Sequence, residues 1–120
     1  MSGGEGIMER TLTCAALHTL IVDQAEIAVL DVRRRPAFEA EPRVIPGAVW
    51  RKPEEVEIWA DALNRNRSVV VYCVHGHEVS KAVVDRLRTL GFEAALLEGG
   101  IEAWKASGAP VTNSSGGKRP

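Results

Sequence analysis

Cysteine is scarce in this chain of 120 residues; Cys14 and Cys73 are the only two. They lie far apart and fit neither C-x-x-C nor zinc-ribbon spacing, which argues against a disulfide scaffold or a dithiol redox motif and favours a reducing compartment. An excess of charge of one sign is also missing: 15 Lys and Arg stand against 16 Asp and Glu. No global field therefore draws the molecule to nucleic acid or to an anionic membrane surface, and a charged partner must be recognised locally. No apolar run approaches membrane-spanning length, and Met1 to Arg10 has no basic region leading into an apolar core. TLTCAALHTLIV, residues 11–22, comes nearest to a signal core, but it contains His18 and follows an acidic lead-in. A cytoplasmic protein with neither nucleic-acid nor membrane partners is expected.

What is present is an alternation of short apolar runs with helical periodicity, the pattern of parallel strands joined by crossover helices. The length suits one domain. Residues 1–10 read as a flexible segment, 11–111 as the domain and 112–120 as a polar, disordered tail. Leu12, Ala16, Leu17, Leu20 and Ile21 suit one face of a first helix. IAVLDV, residues 27–32, reads as a strand buried on both faces. A short helical piece covers Pro36 to Ala40, a turn sits at Pro46-Gly47, and a short strand covers Ala48 to Trp50. Pro53 opens a helix predicted to run to near Arg65, with Val56, Trp59, Ala60 and Leu63 inward. Ser68 to Cys73 is the most continuous β-branched run and the best central strand. A helix from about Val79 to Leu90, a strand from Phe92 to Leu97 and a last helix from Ile101 to Ser107 complete the series.

Cys73 closes the central strand and is followed by Val74, His75, Gly76, His77, Glu78 and Val79. In open parallel sheets ligands bind beyond the carboxyl ends of the strands, so the cysteine stands where a reactive group belongs. Gly76 allows the loop to curl its N–H groups toward the sulfur, and those amides with the following helix dipole favour thiolate over thiol. A lone cysteine ending an apolar strand is ordinarily an inert small hydrophobe. The ionisable residues that follow cannot all be buried cheaply, which places this one in an accessible polar pocket.

LDVRRRPAFEAEPRVIPGAVW, VVVYCVHGHEVSKAVVDRLRTLGFEAALLEGG and EAWKASGAPV together resemble a single-domain rhodanese, over roughly residues 11–111. The motifs stand in order: Asp31-x-Arg33, Ile45 to Ala48, Tyr72-Cys73, Gly99-Gly100, and then Trp104, Gly108 and Pro110. The resemblance implies an α/β fold, a rhodanese-like domain whose central parallel sheet of about five strands is flanked by helices on both faces. It also implies a sulfurtransferase. Cys73 would attack the outer sulfur of thiosulfate or a related small sulfur-containing anion and hold it as a persulfide cradled by the amides of Val74 to Val79. A thiol, cyanide or a sulfur-acceptor protein would then take the sulfur, without a cofactor.

The loop departs from the family at Glu78, where many rhodaneses carry a basic residue. A carboxylate about 8 Å from a bound anion opposes it by roughly 2 kcal/mol at an effective dielectric near 20, so Glu78 must point outward or the donor is not simply thiosulfate. His75, His77 and Lys81 are the local candidates for compensating positive charge. A cysteine-dependent phosphatase needs an arginine where this chain has Val79, which disfavours phosphoryl transfer. Cys73, His75 and His77 form a C-x-H-x-H run capable of holding zinc or copper, with Cys14, His18 or Glu78 as a possible fourth ligand. A non-catalytic interaction or sulfur-carrier module on the same fold is the other alternative. Asp31 and Arg33 are assigned to loop pinning, Trp50 and Trp104 to packing, and Cys14 to the core, with a resolving-thiol role as the minor reading.

Overall fold

The structure, a computed structural model, describes residues 10–76 and 78–113. Five parallel strands form the central sheet: β1 (Thr11–Leu12), β2 (Ile27–Asp31), β4 (Val49–Trp50), β5 (Ser68–Tyr72) and β6 (Ala94–Leu97), in the order β1-β6-β5-β2-β4. The helices are α1 (Cys14–Val22), α2 (Arg35–Ala40), α3 (Val56–Trp59), α4 (Glu78–Thr89) and α5 (Gly100–Ala106). A small antiparallel pair, β3 (Arg43–Val44) with β7 (Thr112–Asn113), stands apart from the main sheet.

Period-two alternation along β5 divides the core. Val70 and Tyr72 pack on one face with Leu17 of α1, Phe38 of α2 and Ile101 and Trp104 of α5. Val69, Val71 and Cys73 pack on the other with Trp59 of α3 and Val83, Val84 and Leu87 of α4. A strand apolar on both faces requires cover on both, and the sheet receives it. The expected sheet of about five strands with helices on both faces is the fold observed.

Local differences have identifiable causes. Leu12 lies in edge strand β1, not in the first helix, because Thr13 caps that helix and accepts a hydrogen bond from the Ala16 amide at 3.1 Å. The helix expected from Pro53 to Arg65 is instead a chain of short pieces: 3-10 turns at Pro53–Glu55 and Ala60–Ala62 on either side of α3. The Trp59 indole donates to the Lys52 carbonyl at 2.8 Å, tying the end of α3 to the start of the segment. The residues expected to form a polar tail begin with Thr112 and Asn113, which pair with Val44 and Arg43. The remainder of that tail and residues 1–9 lie outside the described residues. Among the described residues no helix is long and apolar enough to cross a membrane.

Candidate active site

Sheet order places the site. The strand after β2 in the main sheet, β4, lies to one side of it, while the strand after β5, β6, lies to the opposite side. Chain connections therefore diverge between β2 and β5, and a crevice opens at their carboxyl ends. A cleft of about 530 Å³ occupies that point, lined by Arg33, Arg34 and Ala37 after β2 and by Cys73, Val74, His75, Glu78 and Val79 after β5. Cys73 lies at its inner end, only 6 % exposed. The expectation of an accessible sulfur is thereby narrowed: it faces the cleft but is otherwise packed among Val71, Val83 and their neighbours.

The loop's path follows from its carbonyls. Ile101 N–H donates to the Cys73 carbonyl at 3.0 Å and Glu102 N–H to the Val74 carbonyl at 3.1 Å, so the start of α5 draws both oxygens to its side of the sheet. A trans peptide directs its N–H opposite its C=O. The amides of Val74 and His75 are thus turned away from α5, toward the face that carries the Cys73 side chain. Gly100 makes this approach possible: a Cβ there would lie 2.5 Å from the Cys73 oxygen and 2.4 Å from that of Val74. Gly76 turns at φ +78°, where a Cβ would sit 2.9 Å from the Gly99 nitrogen.

The Cys73 sulfur has a partner that the sequence reading missed. Sγ lies 3.1 Å from Oγ of Ser80, which is fully buried in the first turns of α4. A signal existed: Ser80 shares the apolar stripe of α4 with Val83, Val84 and Leu87, and a small hydroxyl on such a stripe needs a buried partner. Arg34 was missed too, although three consecutive arginines at the carboxyl end of a parallel strand mark the position.

Asp31 and Arg33 form a buried knot. Arg33 Nε lies 3.0 Å from each Asp31 carboxylate oxygen, and Nη2 lies 2.6 Å from Oδ2. Arg33 also donates to the carbonyls of Glu41 at 2.8 Å and Arg43 at 3.0 Å, fastening the segment that carries β3. Loop pinning is the role this geometry supports. Tyr72, the neighbour of Asp31 in sheet register, takes the Ile45 amide on its hydroxyl at 3.1 Å. Burial, and then the nearby Asp31 carboxylate, push its pKa far above that of an ordinary tyrosine. The tryptophans pack as expected: Trp104 is fully buried with its indole on the Pro110 carbonyl, and Trp50 stacks on Phe38 at 4.6 Å.

The remaining candidates separate. His75 and Glu78 line the cleft. His77 lies outside the described residues, and with it the complete Cys73, His75, His77 set. Among the described residues no group of three ligands comes together for a metal ion. Lys81, the candidate for donor-side charge, is not among the residues that line the cleft, and its ammonium reaches Asp85, one turn along α4, at 3.2 Å. Cys14 packs with the core on the opposite face of the sheet from Cys73, and both thiols are free. A direct resolving disulfide is not built into this arrangement.

A doubly covered parallel sheet with a cysteine-headed loop at its switch point defines the class: an α/β domain that presents one sulfur at the carboxyl edge of its strands. The family model of the rhodanese-like domain matches residues 13–107, and the chain belongs to that family. It is 32 % identical over 87 residues to the thiosulfate sulfurtransferase GlpE of Coxiella burnetii, covering 72 % of this chain and 78 % of that protein. A rhodanese-related protein of Thermoplasma volcanium superposes with a TM-score of 0.74 at 32 % identity, over 87 % of this chain and 98 % of that one. A Lactobacillus plantarum protein gives a TM-score of 0.80 at 26 % identity, over 87 % and 88 % of the two chains.

Proposed function

We propose that this chain is a sulfurtransferase that carries a sulfane sulfur on Cys73. The reading rests above all on one observation: Sγ stands at the inner end of a cleft at the sheet's switch point, 3.1 Å from a buried hydroxyl. The family membership and the name of the Coxiella relative support the same chemistry. In the first step the Cys73 thiolate attacks the outer sulfur of thiosulfate or a related donor. The new Sγ–S bond forms as the donor S–S bond breaks, and sulfite leaves with the bonding pair. In the second step a thiolate or cyanide attacks the carried sulfur, and Cys73 departs as thiolate. This is covalent catalysis in two displacements, with no change in the number of electrons held by the protein.

The residues act as a holder for negative sulfur. The amides of Val74 and His75 and the start of α4 are fixed dipoles on the same side of the sheet as Sγ, and the Ser80 hydroxyl, which accepts from the thiol, can turn to donate to the thiolate. Gly76, Glu78 and Val79 continue the loop into the helix, and His75 borders the cleft. A reducing, cytoplasmic setting suits the two free thiols.

Incubation with thiosulfate followed by intact-mass measurement tests the proposal. One added sulfur atom is expected, removable by cyanide as thiocyanate and absent in Cys73→Ser. No added sulfur would overturn the reading. Loading without turnover to any acceptor would reduce the protein to a carrier.

A further inference from the structure

We infer that the cleft selects a zwitterionic, amino-acid-derived persulfide as its sulfur donor in preference to a simple inorganic anion; this rests on the sulfurtransferase reading above. The cleft beside Cys73 continues into a second hollow of about 390 Å³, and the two share Arg34, Glu78 and Val79. The inner part alone lies within the range of about 300–1,000 Å³ typical of pockets for drug-sized molecules, so thiosulfate fills a small fraction of it. Ala37 and Val79 line the inner part, and Val56 and Val83 line the outer, giving an organic chain an apolar surface to lie on.

Charge decides the class of molecule. Arg34 comes from the β2 side and Glu78 from the β5 side, both are exposed, and neither forms an ion pair among the described residues. Arg33, although it also borders the cleft, already has its guanidinium engaged by Asp31 and two carbonyls. The free cation is thus opposed by a free anion, with Glu54 adding a second carboxylate in the outer hollow. A dianion gains from Arg34 and loses to Glu78. A molecule bearing both a carboxylate and an ammonium gains from each, the carboxylate on the planar guanidinium fork and the ammonium on Glu78.

The step is the same displacement with a different leaving group. The Cys73 thiolate attacks the terminal sulfur of RS–SH, the Sγ–S bond forms, the RS–S bond breaks, and RS⁻ leaves with the bonding pair. The proton stays on the transferred sulfur.

Three persulfides separate the charge contributions: those of cysteine, mercaptopropionate, which lacks the ammonium, and cysteamine, which lacks the carboxylate. The measured quantity is the second-order rate of Cys73 sulfur loading, read by mass after quenching. Cysteine persulfide is expected to load roughly three- to tenfold faster than either analogue, a size set by solvent-screened pairs. Glu78→Gln should erase the advantage over mercaptopropionate and leave that over cysteamine, while Arg34→Gln should do the reverse. Equal rates for the three donors, or preferences that survive both substitutions, would overturn the inference and leave the sulfurtransferase reading standing. Failure of every donor, thiosulfate included, to load Cys73 would remove both.

Discussion

Cys14 and Cys73 each follow a strand of the same parallel sheet and precede or open a helix, yet their sulfurs meet different surroundings. Cys14 Sγ lies 3.8 Å from the Glu98 carbonyl, an acceptor that rewards the protonated thiol. Burial, and then the Glu98 carboxylate, push its pKa up. The helix start offers it little, because the Thr13 side chain already takes the Ala16 amide. The Cys73 thiol donates to a hydroxyl instead, a group that, unlike a carbonyl, can turn to donate once the sulfur is ionised, and its own loop directs amides to its side of the sheet while α5 draws the carbonyls away. A cysteine at the head of a helix is therefore not a nucleophile by position alone. The polarity of the groups aimed at the sulfur is what separates Cys14 from the sulfur-carrying role proposed for Cys73.

The sharpest way to break this contrast is to exchange the sulfurs for oxygens. Cys73→Ser should abolish sulfur loading measured by intact mass, and Cys14→Ser should leave it unchanged; loading lost in the second variant would give both cysteines a part in transfer. Next in size is the scaffold on the β2 side of the cleft. Asp31→Asn leaves the buried Arg33 charge without its partner and should cost about 3–5 kcal/mol in urea unfolding, whereas Arg34→Gln, exposed beside it, should stay within about 0.5 kcal/mol.

Tyr72, the residue before Cys73, sharpens the contrast through pH. Its folded pKa is raised, so its contribution to stability is fully present below the ordinary tyrosine value and falls as pH climbs past it. Above about pH 10 stability should drop by up to roughly 1.4 kcal/mol per pH unit from this group, and Tyr72→Phe should flatten that slope in urea titrations. A smaller effect isolates the hydroxyl on Cys73. Ser80→Ala should slow alkylation of Cys73 near neutral pH about fivefold, corresponding to a hydrogen bond worth about 1 kcal/mol. Ser80→Thr should retain most of the rate, and Cys14 alkylation should not change in either variant. The smallest expected change is at the cleft mouth: Glu78→Arg should lower the KM for thiosulfate by a few-fold, as screened surface charges do.

Much of the architecture was legible because burial imposes patterns on sequence. The β-branched run at residues 68–73 could only be a strand covered on both faces, and the amphipathic stripe of α4 announced Val83, Val84 and Leu87 as core. The short pieces were not legible. β1, β3 and β7 have two residues each, too few for any period to show, and α3 with its flanking 3-10 turns was indistinguishable from one continuous helix. In the site, the sequence distinguished Cys73, Gly76 and the chemistry of the loop. It did not reveal the pairing of Lys81 with Asp85, since an amphipathic pattern reports which face is buried and not which neighbour an exposed ammonium meets.

The sequence by itself determined a doubly covered parallel sheet with a cysteine at the end of its best strand, because those features follow from local periodicity and residue type. Only the tertiary structure decided which groups surround that cysteine. Ser80 and the carbonyl-binding start of α5 reach it, and Arg34 borders the same cleft, from separate segments, and their convergence depends on the order β1-β6-β5-β2-β4. Strand order is set by how all the helices pack at once, and that is a property no single stretch of residues carries.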